Sequence, residues 1–328
     1  MKYVETALLA RMRIAGPAAG ERVRSVRWGI GDDAALFVAR SGYETILTCD
    51  WFLEGSHFLR DRHPADAVGW KCLARAISDV AAMGGEPRCF LLSLALPPSH
   101  AERWLDEFLL GLRRASRKFN CPLVGGDTTR RREILINVTV IGEVRAGRAV
   151  LRCGARPGDI VFVSGLLGEA ELGLRLLRGK PRVHSDDPRL NKHLYPEPRM
   201  ALGRWLSDRR IAAAMMDLSD GLSSDLPRLC AASGVGARIA EAQIPAVGVP
   251  RPRRTKKVNP MDLALHGGDD YELLFTVRPN KASRLPRSFQ GIALTKIGEI
   301  ARDRRLRLIR SNGREEALPA RGWDPFRH

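Results

Sequence analysis

Aspartate recurs beside glycine, serine or threonine at several points where a strand or helix is expected to end. The segments that share this pattern are residues 29–33, 48–50, 125–130, 217–226 and 266–270. Taken singly, each segment fits an ordinary turn or a helix cap, since Gly and Asp are common turn formers. Taken together, in a chain with 37 acidic against 54 basic residues, they indicate a divalent-cation site built from carboxylates.

The side chains of these segments suit magnesium and phosphate. Mg²⁺ prefers carboxylate, hydroxyl and water oxygens and usually bridges protein carboxylates to substrate phosphates. Glycine lets backbone N–H groups approach phosphate oxygens, and arginine offers a fixed fork to the same anions. Gly126 and Asp127 with Arg130, and also Arg152, fit this need. The sequence therefore predicts a site that handles phosphate groups with the help of metal ions.

Several other kinds of site are disfavoured because their motifs are missing. The chain has no P-loop, no G-x-G-x-x-G dinucleotide fingerprint and no protein-kinase H-R-D and D-F-G pair. Ser219 and Ser223 do not lie in a G-x-S-x-G elbow, and no two histidines form an H-x-x-x-H pair. The six cysteines form no C-x-x-C pair, so we expect reduced, buried thiols. The N-terminal residues do not read as a signal peptide, so we expect a cytoplasmic protein.

The net charge of +17 raises a second possibility, a protein that binds nucleic acid. The arginines concentrate in residues 251–257 and 302–310, without interleaved aromatic residues that could stack on bases. We therefore interpret both runs as solvated surface and expect no nucleic-acid partner. No membrane partner is expected either, because the longest mostly apolar stretch, residues 89–99, is far below the roughly 20 residues that span a bilayer.

The rest of the chain predicts alternating strands and helices in two domains, 1–147 and 148–328, with a composition break at residues 145–152. Residues 179–198 are polar and contain proline, which predicts a long exposed connection. Helices are predicted over residues 1–14, 65–83, 101–119, 169–177 and 200–208 and in a segment ending at 232. Strands are predicted over residues 34–38, 45–48, 90–96, 121–125, 134–142 and 160–164 and in a segment ending at 277, and residues 214–216 form a short apolar segment.

Seven ordered motifs closely resemble the thiamine-monophosphate kinase family, within the superfamily of aminoimidazole ribonucleotide synthetase and selenophosphate synthetase. They are G-I-G-D-D-A-A-L, T-C-D-W-F-L-E-G-S-H-F, A-I-S-D-V-A-A-M-G-G, L-V-G-G-D-T-T-R, A-R-P-G-D, D-L-S-D-G-L-S-S-D-L and G-G-D-D-Y-E-L, covering about residues 25–277, with a weaker echo at R-G-W-D-P-F. The resemblance implies an α/β (α+β) chain with the two-domain PurM-like fold, whose N-terminal strands pair across a homodimer. It also implies Mg²⁺-dependent transfer of the ATP γ-phosphate to thiamine monophosphate.

The same resemblance implies roles for individual residues. The magnesium ligands would be Asp33, Thr48, Cys49, Asp50, Asp79, Asp127, Asp217 and Asp220, among which Asp50, Asp79 and Asp127 would be catalytic. Gly126, Asp127, Arg152 and Ser219 would face ATP, and His57, Asp269 and Trp323 would face thiamine monophosphate. Two residues depart from the family pattern. Cys49 stands where Thr is usual, so it could act only through its carbonyl, and Asp269 stands where Glu is usual.

The sequence leaves simpler roles open for the three substrate residues. His57 is also compatible with a loop histidine of no special role, Asp269 with a turn cap, and Trp323 with a cover over an apolar patch. Another ATP-using member of the same superfamily is the nearest alternative enzyme. Selenophosphate synthetase is disfavoured because no Cys precedes Cys49.

Elementary chemistry agrees with a phosphate acceptor. A phosphate monoester is already anionic at neutral pH, so its oxygen can attack without a strong general base. The main obstacle is repulsion between two polyanions, which several cations held by carboxylates would reduce. This explains a chain that has many acidic segments and no catalytic triad.

Overall fold

The computed structural model describes residues 11, 25–28, 34–179, 184, 186–249 and 258–326. These residues form two compact units; the first ends at Gly147 and the second starts at Arg148, with Ala81–Gly84 grouped with the second. Three expectations lie outside the described residues: the helix over 1–14 apart from Arg11, the segment 29–33 with Asp33, and the arginine run 251–257.

A mixed four-stranded sheet forms the centre of the N-terminal unit. The strands of this unit are β1 (Val26–Trp28), β2 (Leu36–Phe37), β3 (Tyr43–Leu53), β4 (Glu86–Leu96), β5 (Leu123–Arg130) and β6 (Leu135–Arg145), and its helices are α1 (Ala65–Ala82) and α2 (Arg103–Lys118). The sheet order is β3-β6-β4-β5, and only β4 and β5 run parallel. Strands β1 and β2 pair separately. The helix predicted over 65–83 is confirmed as α1.

The two faces of this sheet differ in what covers them. Side chains alternate between faces along a strand, and on β3 Phe52 is buried while Leu47 and Trp51 expose 71% and 55% of their surface. Thr48, which shares the face of Phe52, contacts Asp79 of α1. Helix α1 therefore covers one face, and the other presents apolar side chains at the surface of the described chain.

A larger mixed sheet forms the centre of the C-terminal unit. Its strands are β7 (Ile160–Ser164), β8 (Ala212–Leu218), β9 (Gly236–Ala240), β10 (Glu272–Val277), β11 (Ser288–Phe289), β12 (Ile292–Ala301), β13 (Leu306–Ile309) and β14 (Glu315–Ala317). The order is β14-β13-β9-β12-β7-β10-β8, with β11 paired to β12, and β9 and β13 are parallel. The helices are α3 (Glu169–Arg178), α4 (Asn191–Leu194), α5 (Met200–Asp208), α6 (Leu222–Ser233) and α7 (Pro260–His266).

Both faces of the larger sheet are buried at strands β8 and β10. Met215 and Phe275 pack in one apolar cluster, whereas their chain neighbours Met216 and Leu274 pack in another. Because successive side chains of a strand point to opposite faces, the two clusters lie on opposite sides of the sheet. Leu226 of α6 belongs to the second cluster, so this helix packs on that side.

Three strands continue through aspartates that the sequence pattern places after them. Asp50 lies within β3 opposite Val138, Asp127 lies within β5, and Asp217 lies within β8 opposite Leu273. The predicted strand ends at residues 48 and 125 are therefore wrong, and the short apolar segment 214–216 is part of the longer strand β8. Pairing with a neighbouring strand is a long-range property, and here it overrides the local turn preference of the Gly and Asp residues.

The expected exposed connection over residues 179–198 is correct only in part where the structure describes it, because Asp186 and Glu197 are exposed but other residues are buried. Residues Pro188–Leu190 form a 3-10 turn that leads into α4. The side chains of His193 and Leu194 are buried, and Lys192 forms an ion pair with Glu272 of β10. The local polar pattern suggested a loop because it cannot predict contacts with elements that are distant in sequence.

The cysteines are free, but two of the six are not buried as expected. Cys72, Cys89, Cys121 and Cys230 are buried, and Cys49 and Cys153 are exposed. Cys49 points to the uncovered face of the N-terminal sheet, and Cys153 lies in a 3-10 turn. In the described parts of the chain, no helix combines the length and the apolarity that crossing a membrane requires.

Candidate functional site

Three predicted magnesium ligands meet where β3 packs on α1. The hydroxyl of Thr48 donates a hydrogen bond to Asp79 Oδ2 at 2.5 Å. Asp50 follows Thr48 by two residues on the same strand, so both side chains point to the same face. The structure thus brings a hydroxyl and two carboxylates to one region, and these are hard oxygen donors of the kind that Mg²⁺ prefers.

The side chain of Cys49 points away from these oxygens. It lies on the opposite face of β3, where the amide of Asn137 donates to Cys49 Sγ at 3.2 Å. A thiol in this position contributes no ligand to the Thr48 side of the strand. The expectation that Cys49 could act only through its carbonyl is compatible with this arrangement.

Gly126 allows β5 to approach β4 closely. It has φ +153°, and a Cβ built on it would lie 1.9 Å from the carbonyl oxygen of Leu92. No side chain fits there, which explains glycine at this position. The neighbouring Asp127 is exposed, and its Oδ1 accepts from the N–H of Thr128 at 2.8 Å.

Asp127 and Asp50 are not neighbours within the sheet. They lie on its two outer strands, β5 and β3. Three interstrand spacings separate these strands, about 14 Å. The N-terminal sheet of one chain therefore places the two aspartates at opposite edges.

His57 stabilises the turn after β3. The ring Nδ1 accepts from the N–H of Leu53 at 3.0 Å, and the backbone N–H of His57 donates to the carbonyl of Leu53 at 2.8 Å. Since Nδ1 is an acceptor, a neutral His57 carries its proton on Nε2. The sequence left open a loop histidine, and this hydrogen bond gives the ring a structural role in the turn.

In the C-terminal unit, the predicted residues gather at the start of α6. Asp217 is buried at the end of β8, and Ser219 and Asp220 form the turn into the helix. The carboxylate of Asp225 accepts from the N–H groups of Ser219 and Asp220 at 3.1 and 3.0 Å. Asp225 therefore sets the shape of the turn that carries two predicted site residues.

Sequence reasoning missed the role of Asp225. Burial, with the nearby charge of Asp220, raises the pKa of Asp225 to about 7. Arg228 contacts both carboxylates, at 2.8 Å from Asp225 Oδ1. The signal was an acidic residue in the first turn of a helix, the usual place for a carboxylate that accepts from backbone N–H groups.

The backbones of Asp269 and Trp323 form hydrogen bonds with the turn that contains Ser219 and Asp220. The N–H of Asp269 donates to the carbonyl of Ser219 at 2.8 Å, and the N–H of Trp323 donates to the carbonyl of Asp220 at 3.0 Å. Residues about 50 and 100 positions away in sequence are thereby fixed beside the start of α6. The local sequence around Trp323 gives no sign of this contact.

Arg152 lies at the other end of α6. Its carbonyl accepts from the hydroxyl of Ser233, the last residue of the helix, at 2.7 Å. A 12-residue helix is about 18 Å long, so the main chain of Arg152 is well separated from Ser219. The structure does not bring these two predicted ATP residues together through their backbones.

Among the described residues, no group of three or more His, Cys, Asp and Glu side chains could hold a metal ion by itself. Mg²⁺ is usually bound through one or two carboxylates together with substrate phosphates and water. The oxygen donors of Thr48, Asp50 and Asp79 fit such a partial site.

Comparison with known proteins agrees with the motifs. Residues 31–144 and 156–311 match the N-terminal and C-terminal domains of AIR synthase related protein. The thiamine-monophosphate kinase of Bacillus subtilis is 35% identical over 313 residues, covering 92% of this chain and 94% of that protein.

Solved structures give the same result. The thiamine-monophosphate kinase of Stenotrophomonas maltophilia has a TM-score of 0.80 and 34% identity, covering 94% of this chain and 97% of that one. AaThiL complexed with AMPPCP and TMP has a TM-score of 0.75 and 33% identity, covering 88% and 89%. These likenesses confirm the expected two-domain fold. The chain belongs to the thiamine-monophosphate kinase family of the AIR synthase related proteins.

Proposed function

We propose that this protein transfers the γ-phosphate of ATP to thiamine monophosphate, giving thiamine diphosphate and ADP. The observation that carries the proposal is the likeness to AaThiL, a protein that binds AMPPCP and TMP together. The ordered acidic motifs of this chain support the same chemistry. The activity belongs in the cytoplasm, where ATP is available and the free thiols stay reduced.

The reaction places modest demands on the protein. The attacking oxygen belongs to an anionic phosphate, so the chain needs to align two polyanions rather than remove a proton. Magnesium, when bound, neutralises phosphate charge. We assign its binding to the carboxylates of Asp33, Asp50, Asp79, Asp127, Asp217 and Asp220, to the hydroxyl of Thr48 and to the carbonyl of Cys49.

The remaining residues orient the substrates. We assign the backbone of Gly126 to the ATP phosphates, because a glycine leaves its N–H group unshielded by a side chain. Ser219 and Arg152 are assigned to ATP, and His57, Asp269 and Trp323 to thiamine monophosphate. The carboxylate of Asp269 complements the positive thiazolium, and the indole of Trp323 complements a flat cationic ligand.

The direct test is product identification. Purified protein is incubated with ATP, Mg²⁺ and a panel of phosphate monoesters, and the products are identified by mass spectrometry. We expect thiamine diphosphate and ADP in equal amounts only when thiamine monophosphate is present. Preferential phosphorylation of a different acceptor would contradict the proposed substrate.

The arginine run over residues 302–310 gives little support to nucleic-acid binding. Arg307 pairs with Asp303, and Arg310 pairs with Glu241 at 2.8 Å and with Glu316. These ion pairs neutralise part of the positive charge that the sequence shows. We therefore propose small-molecule partners only.

We also propose a homodimer formed through the uncovered face of the N-terminal sheet. Leu47 and Trp51 are the exposed apolar residues that support it, since contiguous apolar surface marks an interaction site. We expect Leu47→Asp to shift the protein from dimer to monomer, because the charge would be buried without a partner. Light scattering at micromolar concentrations measures the change.

A matched control for this substitution is Leu110→Asp. Leu110 is an exposed leucine of α2 in the same unit, and we expect this variant to remain dimeric. A wild-type protein that is monomeric throughout the concentration range would contradict the homodimer.

Asp269→Ala and Trp323→Ala test the assignment of the acceptor residues. We expect each to raise KM for thiamine monophosphate several-fold, with KM for ATP nearly unchanged, because each removes a contact to the thiamine moiety alone. Steady-state kinetics with each substrate varied in turn measures the effect. Equal increases in both KM values would mean that these residues support the fold instead.

A further inference from the structure

The turn that carries Asp269 has an unusual backbone. Asp269 and Tyr271 have φ values of +67° and +49°, in the left-handed region, which is rare for a bulky residue such as Tyr271. The N–H of Tyr271 donates to the carbonyl of Leu218 at 2.9 Å, so the turn is held against the end of β8. Strained backbone persists only where surrounding contacts fix it, and it is concentrated at binding sites.

Two buried side chains face the carboxylate of Asp269. Tyr271 is 2% exposed, and its hydroxyl donates to Asp269 Oδ1 at 2.7 Å. His193 is 1% exposed, and its Nδ1 lies 3.8 Å from Asp269 Oδ2. The carboxylate itself remains partly open, with 28% of its side-chain surface exposed. Buried side chains therefore fix the carboxylate of Asp269, while part of its surface remains accessible to a ligand.

A buried ion-pair cluster supports this arrangement from behind. Glu272 is fully buried and accepts from Ser164 Oγ at 2.5 Å and from Arg199 Nε at 2.7 Å. It also pairs with Lys192, the residue before His193. The cluster therefore ties α4, which carries His193, to the strand that follows Tyr271.

We propose that Tyr271 is a positioning residue whose hydroxyl orients the Asp269 carboxylate towards the cationic acceptor. This inference rests on the proposed function. The side chain of Asp269 is short, so its reach depends on the backbone and on rotation of the carboxylate. The hydroxyl of Tyr271 restricts that rotation, and a fixed carboxylate loses less freedom when the ligand binds.

The test is Tyr271→Phe, alone and combined with Asp269→Ala. We expect the single variant to raise KM for thiamine monophosphate about threefold to tenfold, the usual effect of one hydrogen bond, and to leave KM for ATP unchanged. In the Asp269→Ala background, Tyr271→Phe should have no further effect, because the group it orients is missing. Tyr43→Phe, in the N-terminal unit, is the control and should change neither constant.

The outcomes separate this inference from the proposed function. A wild-type protein that makes no thiamine diphosphate would overturn both. An active wild type whose Tyr271→Phe variant changes neither KM, or raises both equally, would overturn the positioning role alone. A full additional effect of Tyr271→Phe on Asp269→Ala would do the same, since it would show that the hydroxyl acts independently of the carboxylate.

Discussion

Asp127→Asn and Asp50→Asn are each expected to remove nearly all turnover while leaving the fold intact. An amide keeps the shape of the side chain but loses the negative charge that offsets a cation at the phosphates. We expect each variant to keep less than about a tenth of wild-type kcat, a barrier increase of more than about 1.4 kcal/mol. Steady-state kinetics at saturating Mg²⁺ measures the turnover, and thermal unfolding measures whether the fold is retained.

Asp61→Asn is the matched control for these variants. Asp61 is an exposed aspartate of the same unit, 82% exposed in its side chain, and its substitution should leave kcat unchanged. If both Asp127→Asn and Asp50→Asn retain more than about a tenth of wild-type kcat, the proposed magnesium site is wrong.

Mixing Asp50→Asn protein with Asp127→Asn protein tests whether Asp50 and Asp127 of one site come from the same chain or from two chains. Asp50 and Asp127 lie on opposite outer strands of one sheet, too far apart for one cation to contact both. In a two-fold dimer, a site could combine Asp50 of one chain with Asp127 of its partner. Random mixing would then restore about a quarter of wild-type activity, because half of the dimers would contain one intact site. No recovery would show that both residues serve the site of their own chain.

Local periodicity predicted the elements whose form depends on local packing. The four-residue spacing of Val68, Cys72, Ala76 and Val80 predicted α1 to within one residue of its observed end. These residues are all buried, so the apolar stripe that defines the helix is also the one that packs. The ordered motifs likewise predicted the family and its fold.

Features that depend on distant partners were not accessible from local sequence. The Gly-Asp pattern suggested turns, yet pairing with β6, β4 and β10 extends three strands through the aspartates. The polar residues before α5 suggested a loop, yet Lys192 and Arg199 contact a carboxylate more than 70 residues away. The hydrogen bond between the backbones of Trp323 and Asp220 is another feature that joins residues distant in sequence.

Glu272→Ala is expected to cause the largest loss of stability. It would leave Lys192 and Arg199 next to each other in a largely buried place, and removing one partner of a buried ion pair costs about 3–5 kcal/mol in the free energy of unfolding. Chemical denaturation measures the loss. Glu299→Ala is the matched control, because Glu299 is 56% exposed and lies 3.7 Å from Arg238. Exposed pairs of this kind contribute about 0–1 kcal/mol.

The stability difference between wild type and Glu272→Ala should also depend on pH. Burial alone would raise the pKa of Glu272, but the charges of Lys192 and Arg199 and their hydrogen bonds outweigh it and hold that pKa below its ordinary value. A carboxyl group with a lowered pKa in the folded state stabilises the protein above its unfolded pKa, about 4.3 for Glu. We therefore expect the full difference near neutral pH and a progressive decrease as the pH falls below about 4. Denaturation curves across this range decide the matter, since a difference that grows on acidification would mean that Glu272 is protonated in the folded protein.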